Sequence, residues 1–284
     1  MPKTDEVIKN VKRIKPLSQT AMKLMDVLAD PEHGIDDIRR IVETDSALTA
    51  NILKYVNSSA FGLRIEISTV SGALPYVGDK MVMGIALGLA AGDMYGDALE
   101  GYDGERGVLW RHCLRTAIAS REIAMYSKWS INAEIAYTGG ILHDIGKAVI
   151  SHFLEGSVKT LIDYNETGQV SDYIAGEMKE LGTDHTEVGA MIAKHWRLPD
   201  PLFEIISHHH YPQEAKEAFR PLVYAVHLGD FVAMMAGSGT GADSMMYEID
   251  ETYKDFYDIN DKILEEIYIR TEKEFERSVD VFQF

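Results

Sequence analysis

Residues 136–147 read Ala-Tyr-Thr-Gly-Gly-Ile-Leu-His-Asp-Ile-Gly-Lys, and this stretch places two strong metal ligands, His143 and Asp144, side by side. The Gly139-Gly140 pair just before them leaves room for other helices to approach closely. Adjacent residues of a continuous helix point in different directions, so both can reach one ion only where the helix ends. We therefore predict a helix that ends at this pair, with Gly146 as its stop.

Further histidines and aspartates lie on both sides of this pair along the chain. The upstream candidate ligand is His112, and the downstream candidates are His185, His208, His209 and Asp230. A single histidine is more often structural, but seven compatible positions favour a metal site. Asp230 interrupts a mostly apolar run at 222–235, and a buried carboxylate needs a metal or a cation. Three consecutive histidines leave the register open by one residue, so His210 is an alternative to His208.

The combination of imidazole and carboxylate ligands suits Fe, Mn, Zn or Ni better than Ca. The expected cofactor is therefore a divalent transition metal. Its identity stays open because several of these metals accept the same ligands.

Helical periodicity extends over both halves of the chain, and strand signals are weak throughout. The apolar run 81–91 is compatible with a strand or a buried helix, but its length favours a helix. A further helix is predicted at 46–56, and those of the second half at 108–128, 132–145, 171–181, 184–196, 201–209, 222–236 and 260–279. Asp184 and Glu187 have the spacing of an N-cap and its N3 partner, which predicts a helix start beside His185. We expect an all-α fold.

Two turn-rich segments divide the chain. The acidic, glycine-containing stretch 92–107 marks a junction, and Gly237-Ser238-Gly239-Thr240-Gly241 is typical of a flexible break. We predict an N-terminal helical subdomain at 1–105, a helical domain at 106–236, and a flexible break followed by a C-terminal helix at 237–284. The acidic residues of 243–261 are interpreted as a solvated face.

Composition argues against several classes of partner. A formal net charge of −17 repels a phosphate backbone, so no nucleic-acid partner is expected. Cys113 is the one cysteine, which excludes an intramolecular disulfide and agrees with a reducing compartment. No apolar run reaches the roughly 18 to 20 residues of a membrane span, and residues 1–6 contain no apolar signal region. We expect a cytoplasmic protein without a membrane partner.

The order of the candidate ligands resembles the pattern of the HD superfamily of metal-dependent phosphohydrolases. The matching segments are His112, His143-Asp144-Ile145-Gly146-Lys147, His185-Thr186-Glu187-Val188-Gly189, His208-His209 and Asp230. In that family the ligands hold one or two metal ions, and the aspartate of the central pair bridges when two are present. Such metals act by lowering the pKa of bound water and by clamping phosphoryl oxygens.

The resemblance also implies roles for individual residues. Asp144 would bridge the ions and Lys147 would contact a substrate phosphate from the open side, which makes both of them candidate catalytic residues. One ion would be held by His112, His143, Asp144 and Asp230. A second position within reach of Asp144 would be surrounded by His185, His208 and His209.

The first half of the chain resembles the HDOD domain. The similarity lies in residues 17–21, 41–53 and 56–62, although Ser46 stands where proline is usual in the Asp-Pro-Ala-Leu signature. With the later motifs it extends over about residues 8 to 236, and it implies an N-terminal helical subdomain packed on an HD-like helical bundle. This family is regulatory, and many members have lost metal ligands that this chain keeps. His210-Tyr211-Pro212 replaces the glycine-bearing segment of the HD-GYP family, so cyclic di-GMP hydrolysis is not expected.

Two functions compete, and a third interpretation stays open. The family resemblance favours a regulatory module that binds a signalling protein partner. The retained ligands and Lys147 favour a phosphohydrolase acting on a nucleotide or other phosphate ester. A metal-free protein with residual ligands is the third, and metal content separates it from the other two. His33, His152 and His195 fall outside the pattern, His227 is a candidate neighbour of a ligand, and Cys113 is interpreted as a buried, inert thiol.

Overall fold

The computed structural model describes residues 3–58, 61–244 and 246–279. Within these ranges the chain forms no β-strand, only isolated bridges between Leu99 and Gly104 and between Ser127 and Tyr257. The prediction of an all-α fold is confirmed. Residues 1–2, 59–60, 245 and 280–284 of the predicted domain ranges lie outside the described residues.

The N-terminal part consists of helices joined by short turns. They are α1 (Thr4–Val11), α2 (Gln19–Ala29), α3 (Ile35–Val42), α4 (Ser46–Val56), α5 (Val70–Val77) and α6 (Asp79–Tyr95). Side-chain caps fix several helix starts: Ser18 accepts from the amide of Ala21, and Asp45 accepts from the amide of Leu48. The ambiguous run 81–91 lies within α6, so its interpretation as a helix is correct.

The second part contains the helices that carry the candidate ligands. They are α7 (Val108–Ala124), α8 (Ala133–Leu142), α9 (Ile145–Leu154), α10 (Val158–Glu166), α11 (Tyr173–Leu181), α12 (His185–His195), α13 (Asp200–His208), α14 (Arg220–Met235), α15 (Tyr253–Phe256) and α16 (Asp261–Ser278). Asp184 caps α12 as predicted, because its carboxylate accepts from the amides of Thr186 and Glu187. Helices α9, α10 and α15 are additional to the predicted set.

Helix α7 is the centre of the second part. It is buried along most of its length and packs against α8, α14 and α16. The two parts are joined by α6, which packs against α8 and α9, and by α1, which packs against α9 and α12. Their buried apolar side chains therefore form one continuous core.

The chain passes from α8 to α9 through a sharp break at Asp144. Helix α8 ends at Leu142 with His143 as its C-cap, and α9 begins at Ile145. The predicted helix end at the His143-Asp144 pair is therefore correct, but Gly146 as the helix stop is wrong, because it lies inside α9. A Cβ atom at position 146 would lie 1.9 Å from the carbonyl oxygen of His185. The glycine is needed because α9 and α12 approach each other closely there.

Among the described residues, no single helix is both long enough and apolar enough to span a membrane. Helix α5 and residues 79–92 meet both conditions only when taken together, and the chain bends by 104° between them.

Candidate metal centre

Seven titratable side chains from five places in the fold converge in the interior of the second part. They are His112, His143, Asp144, His185, His209, His210 and Asp230. Each is at most 7% exposed. Close approach of the helices makes this possible: a Cβ atom on Gly140 would lie 2.5 Å from the Cα of Ala117, and one on Gly229 would lie 2.3 Å from the Oγ of Ser120.

The first group of ligands combines α7, the α8–α9 break and α14. The Nε2 atom of His112 lies 3.3 Å from the Nε2 of His143, 3.4 Å from the Oδ2 of Asp144 and 3.0 Å from the Oδ1 of Asp230. The Nε2 of His143 lies 3.5 Å from the Oδ2 of Asp144 and 3.8 Å from the Oδ1 of Asp230. These four residues are those predicted for one ion.

The second group combines the start of α12 with the residues that follow α13. The Oδ1 atom of Asp144 lies 3.5 Å from the Nε2 of His185 and 3.5 Å from the Nε2 of His209. The Nε2 of His210 lies 3.1 Å from the Nε2 of His185. Asp144 therefore turns one carboxylate oxygen towards each group, which is the arrangement expected of a bridging ligand.

The structure does not bring His208 to this cluster. His208 is the last residue of α13, and its Nδ1 atom lies 3.1 Å from the carbonyl oxygen of Glu204 one turn earlier. Its side chain follows the helix surface, whereas the chain leaves the helix after it and turns His209 and His210 inward. The predicted ligand His208 is thus replaced by His210, the alternative that the run of three histidines left open.

The separations suit metal ligation. Nitrogen and oxygen ligands bind divalent transition metals at about 2.0–2.2 Å, which places neighbouring ligand atoms roughly 3 to 3.5 Å apart. Most ligand-atom distances in both groups fall in or near this range. The donor set is also the mixture of imidazole and carboxylate that such metals accept.

Four of the histidines have their rings held in one orientation by the nitrogen that faces away from the cluster. The acceptors opposite Nδ1 are the carbonyl of Ser238 for His112, the carbonyl of Gly140 for His143, the carboxylate of Glu177 for His185 and the carbonyl of Ile206 for His209. Because these oxygens accept hydrogen bonds, each Nδ1 carries the proton. The Nε2 lone pairs that face the centre are then available to a metal.

Two acceptors at the centre lack a donor. Among the described residues, nothing donates a hydrogen bond to the Oδ1 of Asp144 or to the Nε2 of His209, whereas the Oδ2 of Asp144 lies 2.9 Å from the ammonium of Lys147. Buried acceptors without a partner are rare, because each loses its hydration without compensation. Their convergence on shared positions fits a bound cation, so the residues present suit the metal that the ligand pattern implies.

The pKa values of these residues also favour a bound cation. Burial lowers the pKa of His143 to about 3, so its ring is neutral and can ligate. Burial also opposes the charge of His112, but the carboxylates of Asp144 and Asp230 outweigh it and raise its pKa to about 10. Burial disfavours the charged form of Asp230 too, yet His112 and His143 lower its pKa to about 2. Two buried carboxylates therefore need positive charge, which Lys147 and the proton on His112 supply when no metal is bound.

Lys147 lies beside this centre but does not face an open side. Its Nζ atom is 2.9 Å from the Oδ2 of Asp144, and it donates to the Oδ2 of Asp243 at 2.6 Å and to the Oγ1 of Thr240 at 3.1 Å. Burial opposes its charge, but Asp144 and Asp243 outweigh burial and raise the pKa of Lys147 above its usual value. Both partners on the far side come from the predicted flexible break and the acidic segment after it.

Two contributors to the centre were missed by the sequence analysis. Glu177 is fully buried and accepts from the Nδ1 of His185, from its amide and from the hydroxyl of Tyr102. It sits in a predicted helix without any distinguishing pattern. Asp243 is 1% exposed, so its interpretation as part of a solvated face is wrong. Glu248 and Glu251 of the same segment are exposed, as expected.

The remaining histidines take the structural positions expected of them. His33 contacts Asp79, His152 is exposed, and the Nε2 of His195 lies 3.0 Å from the carbonyl of Ile14. His227 donates from Nδ1 to the carbonyl of His209 at 2.8 Å, so it supports the backbone of a candidate ligand. Burial raises the pKa of the Cys113 thiol, which leaves it protonated and unreactive.

Fold and site together define a class: an all-helical protein with an HD-type arrangement of histidines and aspartates. The model of the HDOD domain matches residues 14–212, and the chain belongs to this family. It is also 27% identical over 218 residues to an uncharacterised protein of Treponema pallidum (strain Nichols). That match covers 75% of this chain but only 41% of the relative, so the chain spans less than half of the relative's length.

Solved structures share the fold at low sequence identity. An HDOD domain protein of unknown function from Geobacter sulfurreducens superposes with a TM-score of 0.75 at 21% identity, covering 99% of this chain and 97% of its own. A candidate signal transduction protein from Marinobacter aquaeolei VT8 reaches 0.73 at 19% identity, with 97% and 64% covered. A candidate metal-dependent phosphohydrolase from Shewanella amazonensis SB2B reaches 0.60 at 14% identity, with 96% and 97% covered.

Proposed function

We propose that this chain is a regulatory protein whose HD-like core holds one or two divalent transition metal ions and which transmits a signal by binding a protein partner. One observation carries the proposal: the candidate ligands come from five places in the fold and are buried almost completely. An ion at such a position holds helices together in the way that structural metals do.

The chain's own residues define how such a centre works. Asp144 lies at the break between α8 and α9 and reaches both histidine groups, so it couples α7 and α14 to α12 and α13. Glu177 and three backbone carbonyls hold the ligating rings in place. A bound ion would supply the positive charge that offsets Asp144 and Asp230. Because α6 packs against α8 and α9, a change at the centre reaches the N-terminal subdomain through direct contacts.

A specific observation favours a second function, a metal-dependent phosphohydrolase acting on a nucleotide or other phosphate ester. The ammonium group of Lys147 lies 2.9 Å from the Oδ2 of Asp144, next to the ligand cluster. A lysine at this position can attract a phosphate by its charge. Asp243 and Thr240 occupy its remaining donors, so turnover requires that they move away.

Thermal unfolding and an activity screen of the same tag-free protein separate these two functions. For the regulatory protein, removal of metal by a chelator lowers the melting temperature by at least about 5 °C, re-addition restores it, and phosphomonoesters and cyclic nucleotides are not hydrolysed. Metal-dependent hydrolysis that disappears in both Asp144→Ala and Lys147→Ala would favour the enzyme. An unchanged melting temperature without hydrolysis would contradict both.

A further inference from the structure

We propose that residues 238–244 and 246–247, here named the covering segment, are an autoinhibitory plug that closes the metal centre by placing the carboxylate of Asp243 against the ammonium of Lys147. When the segment moves away, Lys147 can bind a small anion such as phosphate in place of Asp243. This inference rests on the proposed metal centre. It adds that access to the centre is controlled by a part of the chain itself.

The covering segment touches both ligand groups. At one end the carbonyl oxygen of Ser238 accepts from the Nδ1 of His112 at 2.5 Å, and Arg115 donates to the hydroxyl of Ser238. At the other end the ring of Tyr247 lies over the ring of His210, with centroids 4.1 Å apart. The segment thus lies across the cluster from the first group to the second.

The carboxylate of Asp243 fills a site built from donors. It accepts from the Nζ of Lys147 at 2.6 Å, from the hydroxyl of Tyr247 at 2.9 Å, and from the hydroxyl of Thr240, whose oxygen lies 2.7 and 2.8 Å from its two oxygens. Thr240 and Tyr247 belong to the covering segment and move with Asp243, so of these donors only Lys147 stays beside the cluster when the segment opens. The ammonium of Lys147 can then attract a small oxyanion such as phosphate, and the carboxylate of Asp243 stands where that anion would bind.

Lys147 contacts two carboxylates, and the fold holds one of them more firmly than the other. Asp144 is held in the ligand cluster, where it reaches both histidine groups. Asp243 belongs to the covering segment, and among the described residues its carboxylate bonds only to Lys147, Thr240 and Tyr247. An incoming phosphate would therefore replace Asp243, whereas Asp144 would remain in place.

Few backbone bonds hold the segment down. It forms turns without a helix or strand of its own in its described residues. The amide of Ala242 donates to the carbonyl of Tyr102 at 2.6 Å, and Gly241 sits so close that a Cβ atom there would lie 2.0 Å from the same oxygen. Side-chain contacts around Asp243 thus contribute much of what keeps the segment closed, and removing one charge should open it.

The test compares Asp243→Asn with Glu248→Gln, a control that removes an exposed carboxylate just beyond the segment. Asparagine keeps the size of the side chain, and Lys147 keeps Asp144 as a partner. In Asp243→Asn we expect amide hydrogen exchange within the covering segment to become about tenfold faster, whereas α16 is unchanged. Manganese release to a chelator and the affinity for inorganic phosphate should rise by similar factors. Glu248→Gln should match the wild type throughout.

Tyr247→Phe provides a second variant, because it removes one donor to Asp243 and keeps the ring against His210. It should give a smaller increase in exchange than Asp243→Asn. Unchanged exchange and unchanged phosphate affinity in both folded variants would overturn the plug. Hydrogen exchange does not need metal, so absence of metal from the wild type would refute the metal centre while the exchange arm still decides the plug.

Discussion

The two carboxylate oxygens of Asp144 connect the two groups of candidate ligands. Its Oδ2 faces His112 and His143 and lies 2.9 Å from the ammonium of Lys147, whereas its Oδ1 faces His185 and His209 and receives no hydrogen bond from the described residues. Burial of a carboxylate is costly, and a metal ion between these ligands would add to the compensating charge of Lys147. Asp144 also forms the break between two helices, so backbone geometry and ligand geometry are set together.

The histidine register leads to a direct prediction at the residue scale. His210→Ala should lose metal from the second position, because the Nε2 of His210 lies within 3.1 Å of the Nε2 of His185. His208→Ala should keep its metal, because His208 contacts Glu204 at the helix surface. Metal titration against a chromophoric chelator measures both. The opposite result, with metal lost only in His208→Ala, would mean that the side chains are one residue out of register.

His112 leads to a prediction about protons. Without metal its pKa of about 10 keeps the ring protonated at pH 7.5, because Asp144 and Asp230 outweigh the effect of burial. A metal at the Nε2 of His112 must displace that proton, so binding should release at least about one proton per ion. Affinity should therefore fall as the pH falls. Calorimetry in two buffers of different ionisation enthalpy gives the proton count, and a count of zero would argue against His112 as a ligand.

At the scale of elements, the close crossing of α9 and α12 is what brings Asp144 and His185 together. Gly146→Ala should destabilise the protein by about 3 kcal/mol or more, because the added Cβ would meet the carbonyl of His185 at 1.9 Å. Gly88→Ala in α6 is the matched control: its Cβ would meet Ile141 at an ordinary 3.6 Å. Urea unfolding measures the free energy of unfolding of both variants. Equal losses in the two variants would show that the close crossing of α9 and α12 does not require Gly146.

The covering segment is an element whose packing could not be predicted from its local sequence. Its glycines were interpreted as a flexible break and Asp243 as solvated, because composition reports local preference and not what a segment lies against. Gly241 is a glycine because its backbone touches Tyr102, a contact between residues far apart in the chain. No local pattern encodes such a contact.

For the whole molecule, the helical fold and most of the candidate ligands could be predicted because both depend on patterns within the amino-acid sequence itself. Apolar periodicity predicts helices such as α7 and α14, and the order of histidines and aspartates indicates a shared centre. Two things depended on tertiary structure instead. The choice between His208 and His210 requires knowing where α13 ends, and the role of Glu177 requires knowing that α11 passes behind His185.

The central claim is that seven side chains form a metal centre, and elemental analysis of tag-free protein tests it most directly. The account predicts one or two transition metal ions per chain in the wild type. Asp144→Ala should lose metal at both positions, because that carboxylate serves both groups. His33→Ala, which contacts Asp79 far from the cluster along the chain, should keep the full amount. A wild type without metal, or equal loss in both variants, would contradict the account.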